Sequence, residues 1–250
     1  MDTHWPYPRW IAHRGAGLHA PENTLAAFRA GTAAGWRAFE CDVKLSADGV
    51  PFLLHDATLQ RTTDGMGQAA DRRWDELSRL DAGGWHSPLY AGEPPPTLAA
   101  IAHHVRRNGA ALNIEIKPTP GTEENTGRVV AADAARLLEA HQPPPLMSSF
   151  RPEALMGARQ GAPNLPRALL LDTLWPGWED MARMLGVVAV VTNHRLMDAA
   201  LCAQIHASGW RAMCYTVNDP ADVERLLALP VDGLISDEIE RFASRARADG

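Results

Sequence analysis

Between Phe39 and Asp56 apolar and polar residues alternate: Phe39, Cys41 and Val43 against Glu40, Asp42 and Lys44. A period of two belongs to a strand with two unlike faces, so Glu40 and Asp42 project to the same side. Asp48-Gly49 then predicts a two-residue type I′ hairpin, a turn that needs positive φ at both central positions. That turn pairs Leu45 with Phe52 and Val43 with Leu54, and sets Asp42 opposite His55.

The same reading extends along the chain. Trp10-Ile11-Ala12 predicts a short strand, and Leu25, Phe28 and Thr32 a helix capped at Asn23 or Thr24 and stopped at Gly35. From 57 to 96 periodicity fails and Gly and Pro dominate, which reads as an irregular functional insertion. Beyond it strands are expected at 112–116, 146–150, 168–171, 187–191, 211–217 and 233–235. Helices are expected at 97–107, 125–140, 152–160, 178–185, 196–208 and 221–229, and a last one from about Glu238. With the return strand 50–54 set aside, eight strands remain, the number of a closed (β/α)8 TIM-type barrel. No linker divides the chain, so residues 1–250 are expected to form one barrel domain with 57–96 inserted in it.

Composition narrows the partners. The chain is 46% hydrophobic and 22% charged with a net charge of −6, which argues against nucleic acid or a polybasic membrane contact. Three scattered cysteines offer neither a disulfide framework nor zinc spacing. The opening residues lack a leader pattern and the longest apolar runs are too short to cross a bilayer. The expectation is a cytoplasmic protein without stable membrane association.

The polar residues gather at strand C-termini: His13 and Arg14, Glu40 and Asp42, Glu115 and Lys117, Ser148 and Ser149, Thr216 and Asn218. In a (β/α)8 barrel these ends share one face, where active sites are built. Three carboxylates without thiolates point to one hard divalent cation, Mg²⁺ or Ca²⁺, and the absence of an HExxH pair points away from zinc. Three acids and one divalent cation leave a charge of −1, which Arg14 and Lys117 turn to +1, so a phosphodiester closes the balance. His13 and His55 match the need of P–O cleavage for one general base and one general acid.

In order, His13-Arg14-Gly15, Pro21-Glu22-Asn23-Thr24, Glu40-x-Asp42, His55-Asp56, Glu115-Ile116-Lys117-Pro118 and Thr216-Val217-Asn218 resemble the glycerophosphodiester phosphodiesterase family. The likeness spans nearly the whole chain and includes the insertion, with Asp81-Ala82-Gly83-Gly84-Trp85. It implies a TIM-type barrel that hydrolyses small-molecule glycerophosphodiesters to an alcohol and sn-glycerol 3-phosphate with a divalent metal. By motif, Glu40, Asp42 and Glu115 would be the metal ligands, His13 and His55 the acid–base pair, and Arg14 and Lys117 the phosphate contacts. Trp85 and Tyr215 are candidates for the substrate pocket; Tyr215 stands where the family often has Trp before Thr-Val-Asn. In the simplest mechanism His13 takes a proton from the nucleophile and His55 gives one to the leaving alkoxide. The nucleophile is water or a neighbouring glycerol hydroxyl. The rival readings are a phospholipase D-like or phosphoinositide-type lipid phosphodiesterase, and a non-catalytic barrel that binds phosphorylated metabolites.

Overall fold

In strand β2 (Ala38–Leu45) the alternation separates two cores. Phe39, Cys41 and Val43 face the layer between barrel and helices, and Ala38 joins the barrel interior. Glu40 and Asp42 share the inward parity of Ala38. The strand β4 (Ala111–Ile116) repeats the division, with Leu112, Ile114 and Ile116 outward and Ala111, Asn113 and Glu115 inward. The barrel interior is therefore apolar at its base, where Ile11, Leu146, Ala168, Val191 and Met213 meet, and acidic at its top.

The computed structural model describes residues 5–248. The opening residues Met1–His4, part of the stretch expected to lack a leader pattern, lie outside the described residues, as do positions 249 and 250 of the expected domain. The remaining strands are β1 (Trp10–Ala12), β3 (Pro51–Leu53), β5 (Leu146–Ser149), β6 (Arg167–Leu171), β7 (Ala189–Asn193), β8 (Arg211–Tyr215) and β9 (Gly233–Ser236). The sheet runs β1-β9-β8-β7-β6-β5-β4-β2 and closes through a β1–β2 pairing, all parallel. β3 hangs antiparallel on β2, outside the closed ring. This is the (β/α)8 barrel expected of the sequence.

Between the strands run α1 (Leu25–Ala33), α2 (Trp74–Leu77), α3 (Leu98–Asn108), α4 (Glu123–Leu137), α5 (Pro152–Gly161), α6 (Trp178–Leu185), α7 (Ala199–Ala207) and α8 (Pro220–Leu227), with α9 (Ala243–Ala248) last. Thr24, Thr97, Asp198 and Asp219 cap their helices by accepting backbone N–H bonds. Among the described residues no helix is long and apolar enough to cross a membrane.

Three expectations are corrected. The hairpin register is shifted by one residue: Val43 pairs with Leu53 and Lys44 with Phe52, and Leu54 donates its N–H to the Asp42 carbonyl. The loop holds three residues, Ala47 to Gly49, and of these only Gly49 has positive φ, at 81°. Asp48 instead accepts from the Ser46 hydroxyl and the Trp74 N–H, which fixes a three-residue loop in place of the type I′ turn. β7 begins at Ala189 rather than 187, because the Val187 N–H is spent on the Ala182 carbonyl in the cap of α6 at Gly186. The last helix starts at Ala243 rather than 238, after a turn that buries Ile239 and Phe242.

The 57–96 segment has two single 3₁₀ turns, at 69–71 and 88–90, besides α2. It folds over a small core of Phe52, Leu54, Leu59, Ala69 and Leu77. Glu93 accepts the Ala26 N–H and pins the segment to the start of α1.

α1 lies directly on the loop that follows β1. A Cβ at Gly31 would stand 2.3 Å from the Gly15 carbonyl oxygen and 2.6 Å from the Phe39 ring. Gly31→Ala should therefore lower stability by about 1–3 kcal/mol through overpacking, although Ala is the better helix former. A urea midpoint equal to that of the parent protein would contradict this packing.

Candidate active site

Strand register assembles the site. Ala12 pairs with Phe39 on one side and with Ser236 on the other, so the next residue, His13, emerges between Glu40 and Asp237. Its Nδ1–H donates to Asp237 Oδ1 at 2.6 Å, and its Nε2 lies 3.8 Å from Glu40 Oε2. On the far side of β2, Asp42 pairs with Glu115 and Glu40 with Asn113. Ligand oxygens of Glu40, Asp42 and Glu115 all come within 4.8 Å of one another.

The loop after β1 braces these acids. The Arg14 N–H donates to Glu40 Oε2 at 3.1 Å. Asn23 bonds Asp42 twice, donating to Oδ2 at 2.8 Å and accepting from the Asp42 N–H at 3.0 Å. The Arg14 guanidinium reaches Glu22 at 2.7 Å and Asp42 Oδ2 at 3.2 Å. Lys117 Nζ stands 3.0 Å from Glu115 and 3.7 Å from Asp42. One oxygen each of Glu40 and Asp42 is thus held by protein donors. The other, Glu40 Oε1 and Asp42 Oδ1, is buried with no hydrogen-bond partner.

Electrostatics follow from that crowding. Burial pushes the Glu40 carboxyl well up, and the charges of Asp42 and Glu115 push it further. Burial and Asp42 raise Glu115 to about 7. Burial acts upward on Asp42 too, but Arg14 and Lys117 outweigh it and hold the group down at about 2. A buried all-oxygen cluster with orphaned lone pairs is the donor chemistry of a hard divalent cation, so these three residues can hold one.

His55 follows β3, beyond the hairpin ladder. The observed register does not set it opposite Asp42, as the two-residue turn predicted, although the two still influence each other electrostatically. Its Nδ1–H donates to Asp56 Oδ1 at 2.6 Å. Burial lowers its pKa; the nearby Asp42 charge works against that, and Arg14 and Lys117 with it. Arg61, from the inserted segment, clasps Asp56 at 2.6 Å and Glu22 at 2.7 Å, and so joins the carboxylate behind His55 to the one behind Arg14.

Beyond Lys117 an open cleft of about 570 Å³ lies over β4, β5 and β6, lined by Lys44, Lys117, Phe150, Asp172 and Trp175 among others. Tyr215 flanks it: its ring packs edge-on against Phe150 and its hydroxyl donates to the Leu171 carbonyl at 3.3 Å. Trp85 is not brought to this cleft. It sits 43% exposed on the insertion with its indole N–H on the Ala82 carbonyl. The sequence reading missed Asp237, Arg61 and Trp175. Only Trp175 had a usable signal, an aromatic in the Leu174-Trp175-Pro176-Gly177 break after a barrel strand.

Residues 13–241 match the glycerophosphoryl diester phosphodiesterase family. A glycerophosphodiester phosphodiesterase of Caldanaerobacter subterraneus is 32% identical over 245 residues, which cover 96% of this chain and 98% of that protein. Among solved structures, an Oleispira antarctica phosphodiesterase in complex with the product sn-glycerol-3-phosphate matches with a TM-score of 0.88 and 33% identity over 96% of each chain. A glycerophosphodiester phosphodiesterase from Agrobacterium tumefaciens matches with a TM-score of 0.81 and 28% identity over 95% of this chain and 99% of that one. A closed barrel with buried acids at its mouth, matched over nearly its whole length by such relatives, belongs to the glycerophosphoryl diester phosphodiesterase family and is an enzyme of phosphodiester hydrolysis.

Proposed function

We propose that this chain hydrolyses small glycerophosphodiesters to an alcohol and sn-glycerol 3-phosphate, with Mg²⁺ or Ca²⁺ held by Glu40, Asp42 and Glu115 and with His13 and His55 as the acid–base pair. The observation that carries the reading is the convergence of three buried carboxylates, two of them with an orphaned oxygen, beside a histidine on the same barrel rim. The product named for the Oleispira relative supports the choice of substrate. The cation would supply charge neutralisation at the phosphoryl oxygens.

The chain's own residues supply the rest. Arg14 and Lys117 stay cationic beside the acids and are placed to bind non-bridging oxygens, Arg14 with a planar fork and Lys117 as a point charge. Each histidine gives its Nδ1–H to a carboxylate, which leaves Nε2 as the atom that exchanges the proton. The surroundings favour the reverse of the simplest assignment. His55, disfavoured as a cation, takes the proton from the nucleophile. His13, whose Nδ1–H is held by Asp237, is placed to give a proton from Nε2 to the leaving alkoxide. One proton is gained and one given per turnover, so a second transfer restores both rings.

Release of glycerol 3-phosphate from glycerophosphocholine, read by a coupled assay, tests this reading. Activity should vanish with EDTA and return with Mg²⁺ or Ca²⁺. His13→Ala and His55→Ala should each lower kcat by roughly 10²–10⁴-fold while melting like the parent. Near-parental turnover in both variants would overturn the histidine roles.

Stability should report the crowded carboxylates. Glu115 ordinarily titrates near 4.5 but at about 7 in the folded chain. Between those values the folded chain keeps a proton that the unfolded chain has lost. Stability in EDTA should then fall by about 1–3 kcal/mol from Glu115 as pH rises from 4.5 to 7, and Glu40, also pushed up, should extend the fall. Glu115→Gln should flatten that slope. Added cation should raise the melting temperature more at pH 8 than at pH 5, where protons compete for the same oxygens.

A further inference from the structure

Among the described residues Lys44 is the ammonium of the barrel mouth that forms no ion pair with the acids. It shares the inward parity of Glu40 and Asp42 on β2, one step nearer the rim. The residue is only 6% exposed. Its single hydrogen bond is from Nζ to the Lys117 carbonyl at 3.1 Å. Among the described residues no carboxylate oxygen comes within 4.0 Å of that Nζ. Two of its three N–H donors are therefore without a protein partner, in a setting where such donors are costly. Lys44 lines the open cleft over β4, β5 and β6.

The rest of the cleft is lopsided in the same sense. Lys117 and Glu115 neutralise each other at 3.0 Å. Arg151, exposed on the same wall, makes no side-chain hydrogen bond or ion pair among the described residues. Asp172 is the one further acid of the lining, and Phe150 and Trp175 are its aromatic wall. Lys44 and Arg151 against Asp172 leave an uncompensated positive charge in the part of the cleft beyond the Lys117–Glu115 pair. Arg14 and Lys117 already balance a diester at that cluster, so the extra cation is left for a second negative group.

We propose that this cleft receives the alcohol half of the substrate, and that Lys44, helped by Arg151, selects alcohols that carry an anionic group of their own, such as a carboxylate. The inference rests on the phosphodiesterase reading and names its substrate class. An amino-acid alcohol suits the lining best: its carboxylate meets Lys44 and Arg151, while Asp172 and Trp175 face its ammonium.

Glycerophosphoserine and glycerophosphoethanolamine differ only by the carboxylate, so their kcat/KM ratio isolates the interaction. The parent protein should prefer the serine diester. Lys44→Gln should lower the serine-to-ethanolamine ratio roughly tenfold or more, the worth of a hydrogen bond to a charged group. Arg151→Gln, at an exposed position that folding does not depend on, should lower it by a smaller factor. A parent ratio below one overturns the proposal, and so do equal losses on both diesters, which would make Lys44 a support for the acids or for the shared phosphate. Hydrolysis of neither diester would instead count against the phosphodiesterase reading itself, and an unaltered ratio with both diesters turned over counts against the cleft assignment alone.

Discussion

The constraint that orders this molecule is the register of β2 against β4. It sets Asp42 beside Glu115 and leaves Glu40 one pleat below, three carboxylates in one buried layer. Two charges 4.8 Å apart repel by roughly 3 kcal/mol at an effective dielectric near 20, and burial adds to that. The local structure offsets this with fixed donors. The Arg14 backbone and side chain and the Asn23 side chain reach in from the β1 loop, and Lys117 from the end of β4. They do so for only part of each carboxylate. The surviving imbalance, raised pKa values at Glu40 and Glu115 beside a depressed one at Asp42, is what a cation would relieve.

A second regularity grows out of the first. Both histidines sit with a carboxylate behind Nδ1, yet they are built from unrelated parts. Asp237 comes from the end of β9, brought to His13 by strand closure, and is itself gripped by Asn218 at 2.8 Å. Asp56 follows His55 directly and is held by Arg61. Because Arg61 also binds Glu22, the inserted segment and the β1 loop share one ion network on two sides of the acids. The segment outside the barrel is therefore part of the scaffold of the site, and its own small core gives it the rigidity to serve as one.

Strand count, strand faces and the three acids that meet at the barrel mouth were legible in the sequence, because each depends on period or residue type. Glu40 and Asp42 share a face for the reason that any i, i+2 pair in a strand does. What was not legible depends on contacts between distant segments. Asp-Gly is compatible with two hairpin loops, and the choice was made by Asp48 reaching Trp74, 26 residues on. His55 and Asp42 still influence each other electrostatically, but not through cross-strand pairing. Asp237 carries no local mark at all: only closure of β9 on β1 shows that an acid 224 residues further along the chain belongs to His13. Trp85 does not line the cleft over β4 to β6, and its N–H is tied to Ala82 within its own turn, a placement the sequence does not mark.

The site also divides the barrel mouth by task. The loops after β1 and β3 are locked to one another and to β2 by Arg14, Asn23, Glu22 and Arg61, and little there can change without disturbing the acids. The loops after β5 and β6 carry Arg151, Asp172 and Trp175, which bond to none of that network. A change on that side alters what the open cleft touches while the acids keep their geometry. Lys44 is the exception, since it grows from the same strand as the acids but turns its ammonium to the cleft. In the proposed binding mode it would tie the two halves of the mouth together, so that a diester whose alcohol meets Lys44 would have its phosphoryl group held beside Arg14 and Lys117. Selectivity exerted there would act on the position of the reacting group, and so on turnover as well as on affinity.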